Sequence, residues 1–201
     1  MRTLLRKATH AQHISLNKHA MLADLTSPDL AMPVYRMLLI AYAELYQSVE
    51  AQIEQFLATH PVIFDYTRKL PWLRADLKFF NIELDVADSV VQPMLMPEIT
   101  QFGQLVGVLY AIEGSTLGAQ FISRHLQEYH GLGEESGARF FTGYAENTQP
   151  RWQEYIEFSE IIAGDAVQCQ AAAQAAFATF QSFNQVLDVY HQKLVRQGAG
   201  L

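Results

Sequence analysis

Cysteine is nearly absent from this chain, and that limits the chemistry open to it. Cys169 is the single cysteine among 201 residues. An internal disulfide and a thiolate metal cluster are therefore both excluded. Cys169 lies in an alanine-rich helical stretch, where we expect it to be an inert and partly buried thiol.

Long apolar runs and excess basic charge are also missing. No uninterrupted apolar run approaches the roughly 18–20 residues that span a bilayer. The opening MRTLLRKATHAQH lacks the apolar core and cleavage site of a signal peptide. The net charge of −7 argues against nucleic-acid binding, which needs a basic face to neutralise phosphates. We expect a cytoplasmic protein with no membrane or nucleic-acid partner.

The sequence contains no alternating β-branched run of convincing length, and its apolar residues recur at helical spacing. This pattern predicts an all-α protein, and the length suits a single domain over residues 1–201. A connection over 81–96 should be irregular, and the last five residues should form a frayed tail. The predicted helices are 2–22, 33–58, 71–80, 97–129, a turn or two within 138–144, 150–163, and a final helix from a cap at Asp165 to about Arg196.

Common catalytic motifs are absent as well. The chain has no phosphate-binding glycine loop after a strand, no HExxH, no paired ExxH motifs of a di-iron bundle and no GxSxG nucleophile elbow. The chemistry therefore has to come from less common features of the sequence.

The first such feature is a glycine pattern in the stretch from Leu105 to Ile122 and just before it. At 100° per residue, four glycines fall within about 60° of one another on one helix face. Each costs roughly 0.5–1 kcal/mol relative to alanine in a helix interior, so something must come close to this backbone. Spacing alone leaves two interpretations open: a second helix, or a flat ligand with Ser115 as a polar group at its rim. The four are Gly103, Gly107, Gly114 and Gly118.

The second feature is a histidine at the border of the apolar stripe on the first predicted helix. His13 lies about 50° from the centre of that stripe, whereas His19 and His10 lie about 70° and 110° from it. Arg6, two turns before His13, points almost the same way. His13 is either a structural residue or a ligand facing a pocket with positive charge at its edge. The stripe is formed by Leu5, Thr9, Leu16 and Ala20.

Together these features suit a planar cofactor with a central metal and carboxylates at one edge. The histidine would ligate the iron and the arginine would meet the carboxylates. The glycine backbone would press on the opposite face. This combination suggests haem.

Two segments resemble the signatures of the bacterial haem oxygenase family. LRKATHAQHISL, residues 5–16, resembles the amino-terminal signature LRxxTxxxHxxL, and LYAIEGSTLGAQFI, residues 109–122, resembles the distal-helix signature YxxEGSxLGGxxI. YRMLLIAYAELYQSVE and RKLPWLRADL are similar to that family's second helix and following connection. The resemblance is closest to the branch found beside bacterial phytochromes, whose distal helix carries GS where the animal enzymes carry GD.

The resemblance implies a single-domain, multi-helical fold with haem between a proximal amino-terminal helix and a glycine-rich distal helix. It makes His13 the proximal iron ligand. It makes Gly114 and Gly118 the distal backbone positions against haem. Ser115 falls where the animal enzymes place an aspartate that orders distal water. The second glycine of the usual GG pair is Ala119 here.

The resemblance also implies residues around the haem edge. Arg6 matches a basic residue that meets a propionate. Thr9 matches the threonine of the amino-terminal signature, and Tyr110 matches the tyrosine of the distal signature, so both are expected to line the pocket. No counterpart is found for the second basic propionate ligand that a late helix contributes in some members.

The implied reaction is the opening of haem, both substrate and cofactor, by O2 and reducing equivalents to biliverdin, Fe2+ and CO. Electrons would come from a ferredoxin- or NADPH-linked reductase, an acidic protein that the basic cluster of the first helix would receive. Biliverdin could pass to a bacterial phytochrome. The basic cluster is Arg2, Arg6, Lys7 and Lys18.

Three other interpretations stay open. A haem-binding carrier or sensor would keep His13 without turnover. A thiamin-degrading enzyme of the same broad fold would need a cysteine nucleophile, which Cys169 is poorly placed to provide. A helical interaction module with no ligand would account for the glycines but not for the pairing of Arg6 with His13.

Overall fold

The computed structural model describes residues 1–60, 62, 64–84 and 96–198 of the chain. These residues contain helices and no strand, so the all-α prediction is confirmed. Short 3-10 turns occupy Ala145–Asn147 and Glu160–Ile162. The described α-helices are α1 (Arg2–Asn17), α2 (Ala20–Ala23), α3 (Met32–Thr59), α4 (Leu70–Phe79), α5 (Phe102–His130), α6 (Arg139–Thr142), α7 (Thr148–Ser159) and α8 (Ala166–Arg196).

The helices α3, α4 and α8 confirm their predicted bounds to within a residue or two. The predicted cap of α8 is also present, because the Asp165 carboxylate accepts the backbone N–H groups of Val167 at 2.9 Å and Gln168 at 3.1 Å. The helix predicted to reach Ala163 ends earlier, at Ser159, and continues only as a 3-10 turn.

The prediction of one helix over 2–22 was wrong, because α1 ends at Asn17. His19 adopts an extended backbone with ψ of 135°, and its Nδ1 accepts the N–H of Met21 at 3.2 Å. That bond makes His19 the N-cap of the separate helix α2. The helical periodicity continues across this break, so only the capping bond distinguishes two helices from one.

The predicted start of the long glycine-bearing helix at Pro97 was also wrong, because α5 begins at Phe102. The Gln104 side chain accepts the backbone N–H groups of Thr100 at 2.8 Å and Gln101 at 3.1 Å, which caps the helix there. Its end agrees with the prediction, since Gly131 takes a left-handed conformation with φ of 67°. Most of the predicted connection over 81–96, and 199–201 of the predicted tail, lie outside the described residues.

Two glycines allow α5 to pack closely against α8. A Cβ atom on Gly103 would overlap the carbonyl oxygen of Gln168. A Cβ on Gly107 would overlap the carbonyl oxygen of Ala172 and lie 2.8 Å from the backbone nitrogen of Ala176. The helix-packing interpretation of the glycine face is therefore confirmed for its first half.

The position of α5 in the core explains its apolar composition. In the described part of the chain, α5 alone is long and apolar enough to cross a membrane, judged only by its length and composition. We had expected no such helix because the sequence has no long uninterrupted apolar run. However, 56% of the most apolar 18-residue stretch of α5 is buried inside the protein. The Tyr155 hydroxyl of α7 also donates to the carbonyl of Val106 at 2.9 Å. These contacts are those of a core helix.

A buried aspartate joins α4 to α6. Asp76 is 1% exposed, and its two carboxylate oxygens accept the backbone N–H groups of Arg139 at 2.6 Å and Phe140 at 2.8 Å. These are the groups that the first turn of α6 leaves without an intrahelical partner. Burial raises the pKa of Asp76 to about 6, although these hydrogen bonds and Arg139 act in the opposite direction.

Substitution of Asp76 should therefore have a pH-dependent cost. Since the folded pKa is above the unfolded value of 3.8, Asp76 contributes stability that is fully present below that value and is lost as pH rises through about 6. We expect Asp76→Asn to lower the free energy of unfolding at both pH values. The loss should be about 1 kcal/mol larger at about pH 5 than at about pH 7.5. Urea denaturation at the two pH values measures this difference, and an equal loss at both would contradict it.

Candidate functional site

Helices α1, α5 and α8 run in the same direction, and we call the space between α1 and α5 the groove. Met1 contacts Cys169 and Ser15 contacts Asn184 along α1 and α8, while Gly103 and Gly107 lie against α8 from the other side. The helices α1 and α5 each pack along α8 but have little contact with each other. The space between them has α8 as its floor.

At one end of the groove α1 and α5 are in contact. This contact brings together three of the predicted site residues. Thr9 is buried, donates to the Leu5 carbonyl at 2.8 Å, and lies near the Tyr110 hydroxyl. Burial raises the pKa of Tyr110, while Thr9 and the positive charges of Arg2 and Arg6 oppose that shift. This end of the groove therefore carries positive charge, as an anionic ligand edge requires.

His13 lies one helical turn beyond Thr9, on the open part of the groove. The imidazole ring is exposed and meets the Phe180 ring of α8 edge-on, with centroids 5.8 Å apart. Neighbouring atoms nevertheless bury part of the ring, and this partial desolvation lowers the pKa of His13. The charge of His10 lowers it further, to a smaller extent. The imidazole is therefore mostly neutral at pH 7, which is the form that ligates a metal.

Asn17 determines which nitrogen of His13 is available. The Asn17 side-chain amide lies 3.3 Å from Nδ1 of His13. The atom that faces Nδ1 is the amide nitrogen, which donates to it. Binding of iron through Nε2 requires the opposite orientation of the amide, in which Nδ1–H donates to the Asn17 oxygen and Nε2 keeps a free lone pair.

The distal residues lie on α5 at the other wall. Ser115 is exposed, donates to the Ile112 carbonyl at 2.7 Å, and lies near the buried Tyr46 hydroxyl. A Cβ on Gly114 would make ordinary contact with the Trp152 ring at 3.5 Å, whereas a Cβ on Gly118 would meet nothing within 4 Å. The second half of the glycine face therefore ends in open space.

The structure adds groove residues that sequence reasoning missed. Phe180, Trp152 and Tyr46 come from three other helices, and nothing in their local sequence distinguishes them from core aromatics. Asn17 could have been found, because it is four residues after His13 and thus on the same helix face.

The groove suits a metal that arrives within a larger ligand. Among the described residues, no group of three His, Cys, Asp or Glu side chains is placed to hold a metal ion. His13 alone could supply one axial bond to an iron whose other ligands are already in place. A bare backbone at Gly118 and aromatic rings at Phe180 and Trp152 suit the faces of a flat, apolar ring.

Comparison with known proteins identifies this architecture. Residues 1–189 match the heme oxygenase family. A heme oxygenase of Xanthomonas campestris pv. campestris is 30% identical over 161 residues, which cover 74% of this chain and 87% of that protein.

Solved structures share the fold at lower identity. The haem oxygenase of Leptospira interrogans superposes with a TM-score of 0.73 at 19% identity, covering 92% of this chain and 97% of its own. Heme oxygenase-1 of the cyanobacterium Synechocystis, solved in complex with haem, gives 0.71 at 16% identity, with coverage of 98% and 95%. The Neisseria meningitidis haem oxygenase, solved with NO and CO bound, gives 0.69 at 19% identity, with coverage of 93% and 91%. The chain therefore belongs to the haem oxygenase family of all-α, haem-binding oxidoreductases that degrade haem.

Proposed function

We propose that this protein opens the haem ring with O2 and reducing equivalents and releases biliverdin, Fe2+ and CO. The observation that carries the proposal is the groove between α1 and α5, which has the His13 imidazole on one wall and bare helix backbone on the other. Haem, when bound, supplies both the iron that takes O2 and the ring that is opened. The protein contributes orientation, access and hydrogen bonding.

His13 is the proximal ligand in this proposal and binds iron through Nε2. With its amide turned so that the oxygen faces Nδ1, Asn17 accepts the proton of Nδ1 and fixes the orientation of the ring. Arg6 meets a propionate at the end of the groove that Thr9 and Tyr110 close. An arginine is suited to this contact because its guanidinium matches carboxylate geometry.

On the distal side, the backbone at Gly114 and Gly118 lies against the opposite haem face and limits the directions open to O2. Ser115 is too short and too weakly acidic to serve as a strong acid. Its exposed hydroxyl instead holds a water, and that water delivers a proton to the reacting oxygen.

Partners follow from the surface charge. All four basic residues of the amino-terminal cluster are exposed, on a protein whose net charge is −7. This local positive patch suits an acidic electron donor, either a ferredoxin or an NADPH-linked reductase. The phytochrome-associated signature GS further suggests a cytoplasmic role in which biliverdin passes to a bacterial phytochrome. The cluster consists of Arg2, Arg6, Lys7 and Lys18.

The test is a visible absorption time course of the purified protein with one equivalent of hemin, followed by reductant in air with catalase present. We expect a sharp Soret band that decays while a broad red biliverdin band grows. A stable Soret band without bilin would make the protein a carrier or sensor instead. If no specific haem spectrum formed, the groove would not be a haem site.

A further inference from the structure

A buried lysine is anchored beside the distal helix and has no part in the proposed mechanism. Lys69 is 1% exposed, and its Nζ donates to the Glu113 carboxylate, to the Thr67 carbonyl at 2.7 Å and to the Tyr144 hydroxyl at 2.8 Å. Each of the three ammonium protons therefore has an acceptor. The ammonium also lies 4.3 Å from the centre of the Tyr66 ring.

The partner of this lysine is part of the distal motif. Glu113 is 1% exposed and immediately precedes Gly114 and Ser115 on α5. Its second carboxylate oxygen accepts the Tyr144 hydroxyl at 3.1 Å. The carboxylate is therefore held by two donors that come from outside its own helix.

The lysine is itself fixed to α3. Glu50, which is fully buried, accepts the backbone N–H of Lys69 at 2.5 Å and the Tyr66 hydroxyl at 2.9 Å. One turn earlier on α3 lies Tyr46, whose hydroxyl is near Ser115. The distal segment of α5 is thus linked to α3 through Lys69, beside Tyr46.

The held segment is intrinsically weak as a helix. Gly114 lowers its local stability. The Ser115 and Thr116 hydroxyls bond back to the carbonyls of Ile112 at 2.7 Å and Glu113 at 2.6 Å, a pattern that bends helices. An apolar pair would hold such a segment at lower desolvation cost. Hydrogen bonds to a fixed ammonium, however, specify the rotation of the helix about its axis, which apolar packing specifies less well.

We propose that Lys69 and Glu113 form a positioning pair that sets the rotation of the distal helix, and with it the direction that the Gly114–Gly118 backbone imposes on haem cleavage. The inference rests on the proposed function for its effect on cleavage, but its effect on the backbone does not need haem. The pair touches neither haem nor oxygen. It acts only through the placement of α5.

The test replaces both charges together, as Lys69→Met with Glu113→Leu, so that no unpaired charge is left in the core. We expect the double variant to fold and to bind hemin. Backbone amides at 114–118 should exchange hydrogen at least about tenfold faster in the ligand-free protein, because helix fluctuations are no longer restrained. The ratio of biliverdin isomers, measured by chromatography, should shift at least about threefold toward a minor product.

Arg68→Ala is the matched control. Arg68 pairs with Glu50 and Glu54 at the exposed side of the same region, so its loss leaves Lys69 and Glu113 together and should change neither readout. If the double variant does not fold, Tyr144→Phe removes one hydroxyl from the pair without leaving either charge alone, and the same two measurements apply.

The outcomes separate this inference from the proposed function. Unchanged amide exchange over 114–118 overturns the positioning role whether or not haem turns over. Faster exchange with an unchanged isomer ratio also overturns it, because the pair would then stabilise α5 without directing cleavage. If the unmodified protein forms no bilin at all, the proposed function fails, and the exchange measurement alone decides whether the pair positions the distal backbone.

Discussion

Replacing His13 with alanine will remove the histidine-ligated haem spectrum and lower bilin formation by more than about 100-fold. Loss of a residue that only hydrogen-bonds to a metal ligand already costs up to about 100-fold in activity, so loss of the ligand itself should cost more. His13 is the histidine that lies in the groove, beside Phe180 and Asn17. Its pKa is lowered, so the neutral ring is available at pH 7. The measurement is the Soret spectrum of the hemin complex, together with the rate of bilin formation.

Folding should be almost unaffected by this change. The His13 side chain is exposed, and surface substitutions typically change the free energy of unfolding by no more than about 0.5 kcal/mol. Because the position is open to solvent, added imidazole should occupy the vacated place and restore part of the spectrum. His10→Ala is the matched control, since His10 is also exposed on α1, and it should keep both spectrum and turnover. Normal turnover by His13→Ala protein would instead show that another residue binds the iron.

Much of the fold was predictable because apolar periodicity determines where helices form. The bounds of α3, α4 and α8 follow from that pattern and from caps such as Asp165. The break after Asn17 was not predictable in the same way. It depends on the His19 imidazole, which caps α2 and also contacts Asp188 of α8 at 3.2 Å. That contact joins residues 169 positions apart, and no local pattern encodes it.

The candidate site, like the fold, was only partly predictable from local sequence. His13, Arg6, Thr9 and Tyr110 could be proposed from two short segments, whereas the grouping of Arg6, Thr9 and Tyr110 at one end of the groove depends on how α1 and α5 pack. Glu113 appeared in the sequence only as the acidic residue of the distal-helix signature. Its partner Lys69 lies 44 residues earlier, in the segment RKLPWLRADL, where nothing local indicates a buried charge. Only tertiary structure pairs the two.

The glycine face shows most clearly what spacing can and cannot decide. Spacing identified one face and left two occupants possible. The structure assigns α8 to Gly103 and Gly107, while Gly118 faces open space. The packing interpretation therefore applies to the first half of the helix, and the ligand interpretation stays a prediction for the second half, so each half should respond differently to an added side chain.

Alanine at Gly107 and alanine at Gly118 should change stability in opposite directions. At Gly107 the added Cβ would overlap the Ala172 carbonyl, and a backbone atom of a packed helix cannot rotate away. An overpacking cost of up to about 3 kcal/mol, less about 1 kcal/mol of improved helix propensity, predicts a net loss of about 2 kcal/mol. The melting temperature should fall by about 4–8 °C. At Gly118 the propensity gain is unopposed, and the melting temperature should rise by about 2–4 °C.

Leucine at Gly118 then separates packing from ligand binding. It fills space that no protein atom occupies within 4 Å of the added Cβ, so the ligand-free protein should be at least as stable as the unsubstituted one. Bound haem would meet the new side chain, and a cost of about 1.4 kcal/mol or more corresponds to at least about tenfold weaker hemin binding or a changed biliverdin isomer. Gly107→Ala should show the reverse, with lower stability and an unchanged isomer. If Gly118→Leu altered neither hemin affinity nor product, the bare half of the glycine face would have no contact with haem, and the distal wall would have to be sought elsewhere in the groove.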